Sequence, residues 1–234
     1  MAAMTMLPDV PKVETTIIEM TNQVRAEAKL GRVVASPQLT AAARAYAAVL
    51  ARSKVFSHEA DGTTMASRLD RAGYNGCMTA ENLALHQSSK GFETRELAKS
   101  VVEGWLNSPG HRQNIMTGEM TEIGVAVARA PDRDPKFLIV QLFGRPQSMA
   151  VEFQVSNSSS QTVQMAFGGK TTDIKPKLAM QMSSCAGGPM TLSAKGPRAF
   201  EARYESVADR TYVISEPTGK GPLKVEATER YRVR

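Results

Sequence analysis

A corner at Ser108-Pro109-Gly110 constrains this chain more than any other feature. It lies inside the stretch Trp105-Leu-Asn-Ser-Pro-Gly-His-Arg-Gln-Asn-Ile-Met116. Leu97, Val101 and Trp105 run into it at helical spacing, so the indole is expected to face a core. Pro109 has no backbone N–H and drives the residue before it out of the α region, which ends that helix. A second short helical turn carrying His111 then opens. The chain has one tryptophan and three histidines, and this stretch holds the tryptophan and one histidine. His111 is thereby fixed just past a rigid corner.

The segments around the corner alternate in period. Val13, Ile17, Met20 and Val24 repeat at helical spacing between Pro11 and Leu30, with Gly31 as the expected stop. Ser36-Pro37 is an N-cap followed by a first-turn proline, opening a helix with the stripe Leu39, Ala43, Tyr46 and Leu50. Alanine fills much of the rest and permits close approach to a neighbouring layer. After the loop 55–62, Thr63 or Thr64 caps a third helix through Met65 and Leu69, with Gly73 beyond its end. Residues 78–85 read as a strand or irregular segment, and a helix spans about Thr94 to Asn107. Glu122–Ala128 alternates as a strand, and Phe137–Phe143 is a largely apolar one.

From about residue 147 the texture changes. Short β-patterned runs appear at Val151–Val155, Val163–Phe167, Leu178–Met182, Met190–Leu192, Ala199–Tyr204, Thr211–Ile214 and Leu223–Val233. Turn residues separate them every 8–12 positions or so, the pattern of a small all-β sandwich or barrel. The expected division is therefore 1–146 and 147–234. Gly168-Gly169 and Gly187-Gly188-Pro189 read as turns, not phosphate loops, since no helix start follows either.

Composition narrows the class. With 42% hydrophobic and 22% charged residues, the chain can bury a core. The net charge of +6 is spread: 17 Lys and Arg against 15 Asp and Glu up to residue 146, then 12 against 8. No basic run is interleaved with aromatics, which argues against a nucleic-acid partner. No apolar run reaches the roughly 18–20 residues of a membrane span, so the chain is not expected to be transmembrane. The opening Met1–Leu7 is apolar but lacks the basic flank and length of a signal peptide. That fits a cytosolic protein or an exported one whose signal peptide has been removed. Cys77 and Cys185 form no metal-binding spacing; either they are bridged or both are buried thiols.

Taken singly, the polar residues beside these elements have ordinary structural readings. His58 suits a solvated loop, Glu81 a turn, His111 a backbone contact near Pro109, and Glu122 a protective edge-strand charge. His86 has no supporting neighbour and reads as surface or structural. The order of four motifs changes the weighing. Phe56-Ser-His-Glu with Asp61-Gly62 and Arg68-Leu69 comes first, then Ala80-Glu-Asn-Leu83, then Trp105 to Ile115, then Thr121-Glu-Ile-Gly-Val125. Together, over about residues 11–145, they resemble the CAP superfamily of cysteine-rich secretory, antigen 5 and pathogenesis-related proteins, in its bacterial SCP-like branch.

That resemblance implies an α+β fold, a three-layer α-β-α sandwich, here followed by the small β-sandwich-like region. It implies a groove lined by two histidines and two acids, carried over as His58, Glu81, His111 and Glu122. Ala80 replaces the usual glycine before the acid. Where eukaryotic members place an acid shortly after the tryptophan this chain has Ser108, so Glu122 takes that place. Two imidazoles and carboxylates suit a divalent metal, zinc before magnesium.

The resemblance further implies a secreted or periplasmic module that binds lipid or sterol, or cell-envelope or host-protein ligands. Two alternatives stand beside it. One is a metal-dependent hydrolase of peptides or cell-wall material, in which a metal-bound water attacks. The other is a scaffold whose recognition surface is the C-terminal β region. No nucleophile elbow of the G-x-S-x-G kind is present, and no catalytic residue is assigned.

Overall fold

The computed structural model describes residues 6–229. The first five residues, and the part of the Leu223–Val233 run beyond Glu229, lie outside the described residues. The chain forms two compact units, one up to Gln147 and one from Ser148.

The first unit is a three-layer α-β-α sandwich. Its helices are α1 (Val10–Glu27), α2 (Pro37–Arg52), α3 (Met65–Arg71), α4 (Thr94–Leu106) and α5 (Pro109–Met116). Its strands are β1 (Val34–Ala35), β2 (Gly76–Gln87), β3 (Glu122–Arg129) and β4 (Lys136–Pro146), arranged in the order β1-β3-β4-β2. The β2–β4 and β3–β4 pairs are antiparallel and the short β1 lies parallel to β3. Residues 78–85 are thus part of a long, regular strand at the edge of the sheet.

Alternation on the strands builds two separate cores. Ile123, Val125, Val127, Phe137, Ile139 and Phe143 point to one face, where Val13 and Ile17 of α1, Leu97, Val101 and Trp105 of α4, and Ile115 of α5 cover them. Ala126, Leu138, Val140, Leu142 and Leu83 point to the other, under Leu39, Ala43, Tyr46 and Leu50 of α2 and Leu69 of α3. The alanines of α2 serve a close approach. A Cβ on Gly124 of β3 would sit 2.3 Å from the Leu39 carbonyl carbon and 2.4 Å from the Thr40 nitrogen.

Helix ends follow local chemistry, with one departure. Thr64 caps α3, its hydroxyl accepting from the Ser67 N–H, and Gly73 (φ 71°) takes the left-handed position after it. Pro109 ends one helix and is the first residue of the next. Helix α1, however, stops at Glu27, three residues short of the expected Leu30. Lys29, not Gly31, takes the left-handed turn at φ 60°. The buried Arg25 explains the early exit: its guanidinium donates to the carbonyls of Gly31, Ile115, Thr117 and Met120, tying the helix end to the segment after α5.

The second unit is β-rich. It contains β5 (Val151–Asn157), β6 (Val163–Phe167), β7 (Lys170–Ile174), β8 (Ala179–Ser184), β9 (Pro189–Ala194), β10 (Phe200–Glu205), β11 (Arg210–Ser215) and β12 (Lys224–Glu229). They form two four-stranded sheets, β10-β9-β6-β7 and β12-β11-β5-β8. Phe153, Val155, Tyr212 and Ile214 from one sheet and Val163, Met165, Met190 and Leu192 from the other share one core. Strand β7 was absent from the sequence expectation. Lys-Thr-Thr-Asp-Ile is polar and lies at a sheet edge, entered through the Gly168-Gly169 turn at φ 57° and 75°.

Candidate functional site

The candidate groove is assembled along β2, where both helical layers reach the edge of the sheet. On this strand Glu81 and Asn82 point to opposite faces, as the two-residue period requires. Glu81 faces α3 and the loop before it; Asn82 faces α5.

Glu81 is 7% exposed, and its carboxylate is fully engaged. Arg68 donates from one terminal nitrogen to both oxygens, at 2.9 and 2.7 Å. His58 Nδ1 lies 2.8 Å from Oε1. A carboxylate can only accept, so Nδ1 carries the proton and Nε2 of a neutral ring keeps its lone pair. The His58 side chain is 56% exposed, so that second nitrogen belongs to the open part of the site.

Two further residues hold this arrangement. The second terminal nitrogen of Arg68 donates to the carbonyls of His58 (3.0 Å) and Thr63 (2.8 Å). Below it, the Tyr46 hydroxyl donates to the Ser57 carbonyl at 2.6 Å and accepts from the Ala60 N–H at 3.0 Å. The loop carrying His58 is therefore tied at Ser57, His58 and Ala60. Burial is the main reason that the Tyr46 phenol is shifted above its ordinary pKa.

On the α5 side, Asn82 donates to the His111 carbonyl (3.2 Å) and to Gln141 Oε1 (2.9 Å). Gln141 in turn donates to the Thr21 hydroxyl. Asn114 donates to the Glu81 carbonyl (3.2 Å) and to Asn82 Oδ1 (2.7 Å), and Trp105 Nε1 donates to the Leu83 carbonyl (2.9 Å). The Glu81 and Leu83 carbonyls of the edge strand are thus capped by side chains from the Trp105–Met116 stretch. His111 is held below its ordinary pKa, first by burial and then by the nearby His58.

The structure pairs His58 with Glu81, places His111 within electrostatic reach of His58 and leaves Glu122 apart. Glu122 opens β3 opposite Gly144 of β4, which pairs on its other side with Thr79 of β2; Glu81 lies two residues further along β2. Tyr74 fills the space over Gly144, where a Cβ would lie 2.1 Å from its hydroxyl oxygen. That hydroxyl is buried without a well-formed hydrogen bond. Burial first, then the Glu122 carboxylate beside it, raises the Tyr74 pKa. Among the described residues, no group of three or more His, Cys, Asp and Glu side chains is placed to hold a metal ion. His86 packs edge-on against Phe92 at the far end of β2, with Ser100 3.4 Å from Nδ1.

Sequence reasoning placed Tyr46 in the core and Arg68 within a motif, and missed their roles at the site. An arginine three residues before the end of a short helix, followed 13 positions later by an acid, was the available signal. It names a pair only once α3 is seen to pack beside β2.

A family model described as CAP, the cysteine-rich secretory protein family, matches residues 18–143, more than half of the chain. The protein YkwD of Bacillus subtilis strain 168 is 32% identical over 115 residues, 48% of this chain and 41% of that protein. The chain therefore spans about two fifths of that relative. Among solved structures, an outer surface protein of Borrelia burgdorferi matches with a TM-score of 0.50 and 24% identity, covering 60% of this chain and 98% of the other. An extracellular SCP-domain protein of Bacillus anthracis matches at 0.47 and 24%, over 58% and 41%. A more distant structure, NaASP2 with Zn2+, matches at 0.43 and 16%, over 59% and 84%.

Proposed function

The chain belongs to the CAP (cysteine-rich secretory protein) family, and from that premise we propose that it works outside the cytoplasm as a ligand-binding module. Its groove would take a lipid or sterol, or a cell-envelope or host-protein ligand, over the exposed faces of His58 and His111. One observation carries this reading: both oxygens of Glu81 are committed to Arg68 and His58. A general acid or base must reach a substrate proton. Glu81 instead braces His58, which suits a preorganised recognition surface. The metal-dependent hydrolase alternative would need a freer acid beside the imidazoles.

The donor set bears on the metal in the same way. With Glu81 engaged and Glu122 beside Tyr74, His58 and His111 remain as ligands. Open zinc sites commonly use three protein ligands, so these two fit a labile ion completed by water or ligand oxygen, not a resident one. Glu81 behind His58 then has the place of an outer-shell carboxylate that orients a ligating imidazole.

One further observation supports an extracytoplasmic location. Neither cysteine is a free thiol, and oxidised cysteines persist outside the reducing cytosol. Among the described residues no helix is long and apolar enough to cross a membrane.

The test is titration of the full chain with a sterol, a fatty acid and vesicles of anionic envelope lipid. Saturable binding that weakens about tenfold or more in the His58→Ala/His111→Ala variant is expected, a loss of about 1.4 kcal/mol. Absence of saturable binding to every probe would overturn the reading.

A further inference from the structure

Strands β7, β10, β12 and β8 are the edges of the two sheets in the second unit, and β8 is chemically unlike the other three. Lys170 and Asp173 stand on β7, Glu201, Arg203 and Glu205 on β10, and Lys224, Glu226 and Glu229 on β12. Charges of this kind keep an open edge from pairing with another chain. Strand β8, Ala179-Met-Gln-Met-Ser-Ser184, carries neither a charge nor a proline. The chain holds no charged residue at all between Lys177 and Lys195.

Its backbone is set out for a partner. The Asn157 N–H donates to the Leu178 carbonyl, which fixes the alternation along the antiparallel β5–β8 ladder. Leu178, Met180, Met182 and Ser184 therefore turn their backbone groups toward β5, and Ala179, Gln181 and Ser183 turn theirs outward. Among the described residues no side chain or loop caps these three. The inner face of the strand is apolar but incompletely covered. Met180 and Met182 pack on the core while staying partly open, and Leu178 is 55% exposed.

We infer that β8 pairs with the same strand of a second copy of this chain, antiparallel about a two-fold axis at Gln181. The strand matches itself in that register. Ala179 faces the partner's Ser183, and Met180 faces the partner's Met182, so the two inner faces join into one apolar surface. Gln181 meets its own copy, and a carboxamide can both donate and accept. No charge opposes a like charge along the strand. Each copy has one uncharged edge in this unit, so pairing consumes both, and the charged edges stop growth at two copies. The product is an eight-stranded sheet, β12-β11-β5-β8 continued by the same four strands of the partner. The inference concerns the second unit and does not rest on the function proposed for the groove.

Sedimentation of the full chain over a range of concentrations is the test. A monomer–dimer equilibrium with a Kd at or below about 0.1 mM is expected. On a denaturing gel without reductant the same sample should run as monomer, which separates this pair from a disulfide-linked one. Gln181→Lys and Gln181→Glu change an exposed side chain and set like charges against each other on the axis. Each should weaken dimerisation about tenfold or more. Mixing the two variants opposes lysine to glutamate and should restore the dimer. Thr171→Lys, at an exposed position of edge strand β7, should leave it unchanged. A wild type that stays monomeric at about 0.1 mM, or a pair that survives the denaturing gel, would overturn the inference. So would a dimer indifferent to both Gln181 variants, no recovery on mixing them, or loss of the dimer in Thr171→Lys.

Discussion

The guanidinium carbon of Arg68 lies 3.5 Å from the centre of the Tyr46 ring, so one arginine stacks on a phenol and neutralises a buried carboxylate at once. Desolvated cation–π contacts contribute about 2 kcal/mol, and a planar guanidinium is the cation shaped for both tasks. The order Tyr46, Arg68, Glu81, His58 forms a continuous stack from the α2 layer to the groove.

Removing one member of that stack exposes its cost. Arg68 and Glu81 side chains are 7% and 3% exposed, so Arg68→Ala leaves a buried charge unpaired. The expected loss is about 3–5 kcal/mol in denaturant unfolding. Arg68→Met combined with Glu81→Gln should recover part of it, since neither charge then remains. A double variant no more stable than the single one would show that the pair is not the source.

Close approach of α2 to the sheet gives a second outcome. Gly124→Ala places a methyl against backbone atoms of Leu39 and Thr40, which cannot rotate away. A loss of about 1–3 kcal/mol is expected from overpacking, measured by thermal melting. Gly110→Ala, whose added Cβ meets nothing within 4 Å, serves as the control and should change little.

Acid sensitivity follows from two histidines. Burial holds His86 below 6.5, and burial followed by His58 does the same for His111. The unfolded chain therefore binds more protons below that value, so their contribution is present above 6.5 and is lost as pH falls through the lower folded values. Melting temperature should drop between about pH 7 and pH 5, and the drop should shrink in His86→Phe/His111→Phe. An unchanged drop would assign the sensitivity to other groups.

Metal uptake separates the four expected groove residues. Zinc binding measured by metal analysis after dialysis should be weak in the wild type and absent in His58→Ala/His111→Ala. Glu122→Gln should behave as the wild type, because that carboxylate stands beside Tyr74 and not the imidazoles. Loss of zinc in Glu122→Gln would return it to the site.

The cysteines make a prediction about mass. The chain has two, and neither is a free thiol. Pairing within one chain gives a monomer lighter by two hydrogen atoms without reductant; pairing between chains gives a disulfide-linked dimer. The monomer is expected, and reductant should restore the two hydrogens. Free thiols without reductant would argue for a reducing compartment.

The framework was readable where local chemistry is strong. Pro109, Gly73 and the alternation of Glu122–Ala128 act within a few residues, and the corresponding elements stand where those signals put them. What was not readable depends on strand neighbours. Glu122 follows the Trp105–Met116 stretch closely in sequence, yet β4 intervenes between its strand and that of Glu81. The early end of α1 depends on carbonyls some 90 residues away that claim Arg25. The polar strand β7 takes its place from pairing with β6, not from its own composition.

The caps that Trp105 and Asn114 place on β2 have a consequence for solubility. A sheet edge with bare carbonyls is a template on which another chain can grow. Here the indole and the carboxamide sit on the Leu83 and Glu81 carbonyls, so the stretch that carries His111 also stops the sheet from extending. Substitutions there would act on two scales, on the recognition proposed for the groove in a single molecule and on the tendency of many molecules to add to one another strand by strand.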